Sequence, residues 1–225
     1  MSYEESKLEV LLMRYDSALR EVRTKLEILN DELSLTGMHS PISSISWRRK
    51  KTKSIFEKLE RQGDPLTLES IEANLNDVAG IRVICAFVDD IYKVARMLVQ
   101  QDDIQLIQVK DYIANPKPNG YRSYHMILEV PVFFSNEKKA MRVEVQIRTV
   151  GMDFWATLEH QMKYKKDIDN ADEIMAELKV CADTIAETDK KMMEIRGKIP
   201  QCREGNVINE MSTGCAFETG GLYGK

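Results

Sequence analysis

Two short segments contain most of the residues that could do chemistry. Residues 117–125 read KPNGYRSYH, and residues 142–149 read RVEVQIRT. Pro, Asn and Gly favour loops and alternating apolar residues favour strands, so we expect a loop that leads into one strand, followed by a second strand. An aromatic ring beside a flexible Gly can stack on a base, Lys and His can bind phosphate oxygens, and a carboxylate can bind a metal or accept a proton. These residue types therefore favour a nucleotide-binding site.

Both expected strands have one polar face, because side chains alternate in direction along a strand. The polar face of the first strand carries Tyr121, Ser123 and His125, and that of the second carries Arg142, Glu144, Gln146 and Arg148. Antiparallel sheets often expose one face to solvent, which would explain the pattern without any ligand. A nucleotide site also explains it, and spacing alone leaves both interpretations open.

A basic segment lies upstream, where residues 47–62 read WRRKKTKSIFEKLERQ. The spacing of its apolar residues predicts one helix over this range, with Lys50, Ser54 and Lys58 in a single stripe. Like charges at this spacing destabilise a helix by about 0.2–0.5 kcal/mol per pair, so the stripe indicates an anionic ligand that offsets the repulsion. The alternative is a solvated basic face that Glu57 and Glu60 partly neutralise.

The next candidate strand, residues 81–88, is apolar on both faces, which is typical of a central strand. Asp77 precedes this strand and Arg82 lies at its start. The two side chains could form an ion pair with each other, or they could hold a metal and a nucleotide. Neither G-x-G-x-x-G nor G-x-x-x-x-G-K-[ST] occurs in the chain, so any phosphate site must be built from side chains.

Further helices and strands must position these residues. We expect an extended link over 42–46, a strand over 104–110, and helices over 67–76, 89–101, 150–165 and 171–198. This succession predicts an α+β fold in which helices flank a mixed β-sheet. A single domain is expected over residues 1–200, with its core over 45–165 and a mobile tail over 201–225.

The N-terminal helix, expected over residues 1–35, has a narrow apolar stripe at alternating spacings of four and three residues. The stripe consists of Leu8, Leu12, Tyr15, Leu19, Val22, Leu26, Leu29 and Leu33. It must be buried either against the domain itself or against a second copy of the chain. We expect the second copy, and therefore a homo-oligomer.

Composition excludes several classes of protein. A chain of 225 residues, of which 43% are hydrophobic, can bury one substantial core, and its net charge of −4 argues against dedicated nucleic-acid binding. The four Cys and three His lack metal-ligand spacing, so we expect neither a zinc site nor a disulfide framework. No apolar run approaches the roughly 20 residues of a membrane helix, so we expect a soluble, cytoplasmic protein.

Several motifs, taken in order, carry a family resemblance. They are R-x-K-x-x-x-S-x-x-x-K from Arg48, D-x-x-G-I-R from Asp77, K-P-N-G-Y-R-S-Y-H from Lys117, V-E-V-Q-I-R-T from Val143 and M-D-F-W-A-T-L-E-H from Met152. Over residues 45–165 the chain resembles the small alarmone synthetases of the RelA/SpoT family. The resemblance implies a nucleotidyltransferase-like synthetase fold with long terminal helices. It also implies transfer of the β,γ-pyrophosphate of ATP to the 3′-hydroxyl of GDP or GTP, with Mg²⁺ as cofactor and ppGpp or pppGpp as product.

The same resemblance assigns an ATP site. Arg48 and Arg82 would sandwich the adenine, because a guanidinium can stack as well as carry charge. Lys50, Ser54 and Lys58 would hold the ATP phosphates. This assignment agrees with the basic stripe, which already indicates an anionic ligand.

A metal site and an acceptor site are implied as well. Asp77 and Glu144 would bind Mg²⁺ and act in catalysis, and Glu144 would take the proton of the acceptor's 3′-hydroxyl. The GDP or GTP site would consist of Lys110, Lys117, Tyr121 and His125. Tyr121 would stack on the guanine, Lys117 and His125 would contact the acceptor phosphates, and Lys110 would tune the accepted phosphate length.

The resemblance finally implies a synthetase without hydrolase activity, because the chain has no His-Asp dipeptide and no room for a hydrolase domain ahead of Arg48. It implies a homotetramer. An alternative of another class is a regulatory module that keeps the fold and binds single-stranded RNA with the basic helix and Tyr121. Two carboxylates in a phosphate-binding groove argue against that alternative, since they repel RNA.

Overall fold

The computed structural model describes residues 3–35, 40–163 and 171–199. Helices and strands follow one another in the order α1 (Tyr3–Leu35), β1 (Ile42–Arg49), α2 (Thr52–Gln62), α3 (Leu68–Asn74), β2 (Ala79–Cys85), α4 (Val88–Val99), β3 (Gln105–Asp111), β4 (Tyr124–Phe133), β5 (Lys138–Thr149), α5 (Val150–Lys163) and α6 (Ala171–Arg196). None of the helices in these ranges is long and apolar enough to span a membrane.

The strands form one five-stranded sheet in the order β1-β2-β5-β4-β3. β2 and β5 run parallel, and the connection between them contains α4, β3 and β4; the other neighbouring pairs are antiparallel. The predicted mixed sheet flanked by helices is therefore confirmed. On β5 the odd-numbered residues from Met141 to Ile147 are buried in the core, while Glu144 and Gln146 lie on the opposite face.

The apolar stripe of α1 is buried against this sheet. α1 contacts β1, β2, β4 and β5, and Leu19, Val22 and Leu26 are at most 3% exposed. The expectation that the stripe needs a second copy of the chain is therefore wrong. The physical reason is that the sheet presents an apolar face of its own, to which Val83 and Val143 belong, and α1 covers it.

The region predicted as a link and a long basic helix is organised differently. Residues 42–49 form β1, which pairs with β2 so that Trp47 faces Ile81 and Arg48 faces Gly80. Pairing with a distant strand overrides the local helical periodicity here. Helix α2 starts only at Thr52, so Lys50 precedes it and the predicted three-residue stripe is wrong.

Other boundaries differ by a few residues. Thr67 caps α3 as its position predicts, with its side chain accepting a 3.2 Å hydrogen bond from the Ser70 amide. Asp89 lies within the first turn of α4, whose N-cap is Phe87. β4 begins at Tyr124, so Tyr121 belongs to the preceding loop and not to the strand. The expected tail over 201–225 lies outside the described residues.

Candidate active site

Two cavities meet at Glu144 on the polar face of the sheet. The first has a volume of about 340 Å³, lies over β1 and β2 and is termed the β1–β2 cavity. Its charged lining residues are Arg48, Lys50, Asp77, Arg82 and Glu144. The second has a volume of about 190 Å³, lies over β3 and β4 and is termed the β3–β4 cavity; its charged and imidazole side chains are Lys110, Lys117, His125 and Glu144. One carboxylate therefore lies between two basic compartments.

A third cavity of about 530 Å³ opens beside the loop that precedes β4, and is termed the loop cavity. Lys117, Tyr121 and His125 line it together with Glu159 and others. Because Lys117 and His125 also line the β3–β4 cavity, the two spaces are neighbours. The structure thus brings together all four residues predicted for the acceptor site, across these two cavities.

Asp77 is the centre of the charge cluster on the other side. Its carboxylate accepts a 2.6 Å hydrogen bond from Lys50 and forms a 2.8 Å ion pair with Lys58. Burial by itself would raise the pKa of Asp77, but the hydrogen bonds and charges of the two lysines outweigh burial and lower it. The basic residues were expected to bind an anionic ligand. In this structure the anion that pairs with Lys50 and Lys58 is Asp77 of the same chain.

Arg48 and Arg82 lie on neighbouring strands. Arg48 pairs with Gly80, so Arg82 is its diagonal neighbour two residues along β2. Arg82 forms a 3.3 Å ion pair with Asp153 of α5, which excludes the predicted alternative of a pair with Asp77. Burial and the nearby charge of Arg148 lower the pKa of Arg82, and its Nε atom is buried without a hydrogen-bond partner among the described residues.

Ser54 and Lys58 lie on α2. Neither belongs to the lining of the β1–β2 cavity, although Lys58 reaches Asp77. Lys50 lies in the connection between β1 and α2 and lines the cavity directly. Of the three residues predicted for the ATP phosphates, the structure therefore places Lys50 in the cavity wall, connects Lys58 to the wall through Asp77 and leaves Ser54 outside the lining.

Tyr121 lies among other rings and cations in its loop. Its ring packs edge-on against Tyr112, with 5.9 Å between centroids, and the Lys117 ammonium lies 4.8 Å from the ring centroid. Its hydroxyl lies 2.8 Å from Nε2 of His125. Lys110 faces His125 across β3 and β4. Lys110 and Lys117 form no ion pair with a residue that the structure describes, so their charges face the cavities.

Glu144 receives one polar contact at each carboxylate oxygen. Nδ1 of His125 lies 3.3 Å from Oε1, and the Gln146 amide donates a 2.9 Å hydrogen bond to Oε2. Burial would raise the pKa of Glu144, but the contact with His125 and the hydrogen bond from Gln146 lower it. Glu144 is therefore ionised at neutral pH and can bind a cation or accept a proton.

Asp77 and Glu144 could supply two carboxylate ligands to a Mg²⁺ ion whose remaining ligands come from substrate phosphates and water. Both line the β1–β2 cavity, and the charge of Asp77 acts on Glu144. The described residues contain no group of three or more His, Cys, Asp or Glu side chains that could hold a metal by themselves. Mg²⁺ is commonly bound by one or two carboxylates, with water and substrate phosphates supplying the other oxygens. The donor set thus suits Mg²⁺ bound together with a nucleotide.

Helix α6 holds the loop of Tyr121 in place. Arg122 donates hydrogen bonds to the Ala182 carbonyl at 3.2 Å and to Asp183 at 2.9 Å, and Trp155 donates one to the Leu178 carbonyl at 2.7 Å. Gly120 has φ +88°, and a Cβ atom there would lie 2.7 Å from the Cβ of Ala182. Only a glycine allows this close approach.

Several polar residues of the site carry no assigned role from the sequence. Gln146 and Arg148 were visible on the polar face of β5, and their alternation with apolar residues was the available signal. The other such residues are Asn119, Asp153 and Glu159, which lie within the motifs that begin at Lys117 and Met152 but received no role from them. Glu159 lines the loop cavity and accepts a 3.2 Å hydrogen bond from the Asn119 amide. Its contact with residue 119 depends on how α5 packs against the loop.

Comparison with known proteins gives a consistent result. The model of the region found in RelA / SpoT proteins matches residues 47–169. The GTP pyrophosphokinase YwaC of Bacillus subtilis strain 168 is 42% identical over 188 residues, which is 84% of this chain and 90% of that protein.

Two solved structures of small alarmone synthetase 1 from Bacillus subtilis are also similar. The one bound to its product pppGpp has a TM-score of 0.78 at 37% identity and covers 86% of this chain and 98% of that chain. The one bound to AMPCPP has a TM-score of 0.70 at 34% identity and covers 85% of this chain and 96% of that chain. The likeness therefore extends well beyond the matched region.

Proposed function

This chain belongs to the RelA/SpoT family, and from that premise we propose that it transfers the β,γ-pyrophosphate of ATP to the 3′-hydroxyl of GDP or GTP. The products are ppGpp or pppGpp, and AMP. YwaC is a GTP pyrophosphokinase, and similar structures hold pppGpp and the ATP analogue AMPCPP. The family's activity requires two nucleotide sites that meet, which is the arrangement of cavities in this protein.

The observation that carries the proposal is the position of Glu144 between the β1–β2 cavity and the β3–β4 cavity. In the reaction, the 3′-oxygen of the acceptor forms a bond to the β-phosphorus of ATP. The bond from that phosphorus to the oxygen shared with the α-phosphorus breaks, and AMP leaves with this oxygen. The hydroxyl proton moves to the Glu144 carboxylate, which is ionised and faces both compartments.

The β1–β2 cavity is the proposed ATP site. Arg48 and Arg82 are diagonal neighbours on antiparallel strands, and such neighbours are roughly 7–8 Å apart. Both side chains line the β1–β2 cavity and the charge of Arg48 acts on Arg82, so an adenine ring in this cavity can stack between the two guanidinium groups. Lys50, together with Ser54 and Lys58 of α2, supplies groups for the phosphates.

The ATP phosphates would have to compete with Asp77 for these lysines. Lys50 and Lys58 are both bound to Asp77 in the protein alone. We propose that Asp77 and Glu144 bind Mg²⁺ when the nucleotide arrives, which releases the lysines toward phosphate oxygens. The bound ion would neutralise phosphate charge and hold the pyrophosphate in position.

The β3–β4 cavity and the loop cavity form the proposed acceptor site. Tyr121 presents a ring for stacking on guanine, and Lys110 and Lys117 supply positive charge for the acceptor phosphates. Both ring nitrogens of His125 face protein groups, Tyr121 and Glu144, so its predicted contact with the phosphates would require one of these to move. The carboxylate of Glu159 can accept hydrogen bonds from N1–H and N2–H of guanine, and adenine offers no matching donors.

We further propose that the protein acts in the cytoplasm, where its substrates are formed and used. The homotetramer implied by the family resemblance also stays a proposal. The buried stripe of α1 no longer supports it, because those side chains contact the sheet of the same chain. Any oligomer must use other surfaces.

The direct test is incubation of the purified full chain with ATP, Mg²⁺ and GDP, GTP or GMP in separate reactions, with products separated by anion exchange. We expect ppGpp from GDP and pppGpp from GTP, with one AMP formed for each. The Glu144→Gln protein is the matched control, since it keeps the shape and removes the charge. Absence of product from every acceptor, together with tight binding of single-stranded RNA, would support the regulatory module instead.

A further inference from the structure

Arg148 is the most deeply buried cation of the site, with a side chain that is 6% exposed. Its Nε atom donates to Ser123 Oγ at 3.3 Å, and its Nη1 atom donates to Asp153 at 3.1 Å. Its Nη2 atom donates to the Tyr121 hydroxyl at 2.6 Å and to Gln146 Oε1 at 2.9 Å. A buried guanidinium is stable only when its donors are used in this way, so its position is tightly fixed.

The first route from Arg148 runs through Tyr121. A guanidinium can only donate, so the Tyr121 oxygen is the acceptor in their 2.6 Å hydrogen bond. The single proton of that hydroxyl is then available for Nε2 of His125, which lies 2.8 Å away. In this arrangement Nε2 accepts the hydroxyl proton, and the imidazole carries a hydrogen on Nδ1. That atom faces Oε1 of Glu144 at 3.3 Å.

The second route runs through Gln146. Its Oε1 atom accepts from Arg148, which fixes which end of the amide is oxygen. The NH₂ group therefore faces Glu144 and donates to Oε2 at 2.9 Å. Each oxygen of Glu144 thus receives a donor whose orientation is set by the same guanidinium.

We propose that Arg148 is a positioning residue that orients Glu144 through these two routes, Tyr121–His125 and Gln146. The proposal rests on the proposed function, in which Glu144 accepts the proton. Without Arg148, the amide of Gln146 can turn its oxygen toward Glu144, and His125 can turn a lone pair toward it. Either change would repel the carboxylate and displace it from the meeting point of the cavities.

The first measurement is the tautomer of His125 in the full chain without nucleotide. Nitrogen-15 NMR of the imidazole distinguishes a hydrogen on Nδ1 from one on Nε2, and the chain has only three histidines, so loss of signals in His125→Asn protein identifies the residue. We expect the hydrogen on Nδ1. In Tyr121→Phe protein, which keeps the ring and loses the hydroxyl, we expect a mixture of both tautomers. Tyr92→Phe is the control, because that hydroxyl donates to Asp111, which pairs with Tyr124 and so lies on the face of the sheet opposite His125.

The second measurement is steady-state kinetics of Arg148→Lys protein. A lysine has a single ammonium in place of the planar guanidinium and cannot donate to Tyr121 and Gln146 in the same geometry, so both routes are lost together. We expect kcat to fall by about 10- to 100-fold, as is usual when a residue that orients a ligating or reacting group is lost, with both KM values within about threefold. Arg142→Lys is the matched control on the same strand, since Arg142 bonds Asn76 and the Ala73 carbonyl. Its kcat should be unchanged.

The two routes also predict coupling between variants. Tyr121→Phe alone should lower kcat by about tenfold, and Tyr121→Phe with Arg148→Lys should lose less than the product of the two single losses, because they interrupt one chain. If Arg148→Lys does not fold, as judged by its thermal transition, the tautomer and Tyr121→Phe results remain decisive.

A hydrogen on Nε2 of His125 in the unaltered protein would overturn the proposal, as would a kcat within twofold for folded Arg148→Lys protein. If the unaltered protein made no (p)ppGpp, the proposed function would fail. The NMR spectrum would still decide whether the first route exists, so the two failures can be told apart.

Discussion

Lys50 donates a 2.6 Å hydrogen bond to Asp77, a residue 27 positions away that it would have to release when a nucleotide binds. Lys58 lies on the other carboxylate oxygen, so Asp77 pairs with both lysines beside the β1–β2 cavity. Two cations and one anion are thus paired at a partly buried position, where any one of these charges would destabilise the fold if it were unpaired.

Asp77→Asn should make stability less dependent on pH. The pKa of Asp77 in the fold lies below its ordinary value of 3.8, so the ion pairs stabilise the protein fully above that pH. The contribution is lost as the pH falls through the lowered value. We expect the variant to be about 1–2 kcal/mol less stable near pH 7, with a difference that shrinks toward zero in strong acid.

Urea unfolding followed by circular dichroism at a series of pH values measures this difference. Asp103→Asn is the control, because Asp103 pairs with Lys25 at the surface with 41% exposure and such pairs contribute little. A gap between unaltered and Asp77→Asn protein that widened in acid would contradict the assignment.

Glu144→Gln should separate binding from chemistry. The amide keeps the shape of the side chain but loses the charge that we propose accepts the proton and binds Mg²⁺. We expect kcat to fall by at least about 10²-fold at saturating substrates, while nucleotide binding without metal persists. Rapid-quench turnover and equilibrium dialysis measure the two quantities. Near-normal turnover of the Glu144→Gln protein would show that Glu144 does not act in the reaction.

Tyr121→Ala and Tyr121→Phe should differ in a defined way. Loss of the ring removes stacking worth about 1–3 kcal/mol, so the alanine variant should raise KM for GDP by roughly 10- to 100-fold, with little change for ATP. The structure adds that its kcat should also fall, because the hydroxyl contacts His125. The phenylalanine variant should keep KM for GDP within about twofold. Equal KM values for both variants would show that the ring does not stack on the acceptor.

Gly120→Ala should disturb the proposed acceptor site through α6. The new methyl group would lie 2.7 Å from the Cβ of Ala182, and φ is +88°. Gly63→Ala is a matched control, since Gly63 has φ +77° with nothing within 4 Å. The control should cost about 1 kcal/mol of stability from backbone strain alone and leave activity unchanged.

For Gly120→Ala we expect a larger loss of stability and a KM for GDP raised by about tenfold, because the loop of Tyr121 must shift. Thermal unfolding and initial rates with varied GDP measure both. Identical behaviour of the two alanine variants would mean that α6 does not hold the loop.

Leu26→Ala should destabilise the fold itself. Leu26 is fully buried within this chain, and removal of such a side chain typically costs about 2–5 kcal/mol. Ile28 is 60% exposed on the same helix, so Ile28→Ala is the control and should change stability by less than about 0.5 kcal/mol. Urea unfolding measures both, and light scattering reports any change of oligomeric state. If the Leu26→Ala protein kept its stability but an oligomer dissociated, the apolar stripe of α1 would lie at an interface between copies of the chain.

Much of the site could be predicted because its motifs are local. Alternation along residues 141–148 put Glu144, Gln146 and Arg148 on one face, since the direction of a strand side chain depends only on its position. The order of the motifs from Arg48 to Met152 identified the family. The loop that contains Lys117 followed from Pro and Gly, which restrict or free the backbone by themselves, but Tyr121 was predicted on the strand and lies in this loop, because β4 begins only at Tyr124.

The rest required residues that are distant in sequence to meet. Residues 42–49 have no strong strand signal, and they become β1 only because β2 offers them a partner. The apolar stripe of α1 predicts that the helix is buried but does not identify the surface that covers it. In the structure this surface is the apolar face of the sheet. Sequence alone determined which side chains are available and which face they occupy. Only the tertiary structure decided that Lys50 binds Asp77 and that Arg148 donates to both Tyr121 and Gln146. The reason is that hydrogen bonds depend on distances between side chains, which only the packing of the chain sets.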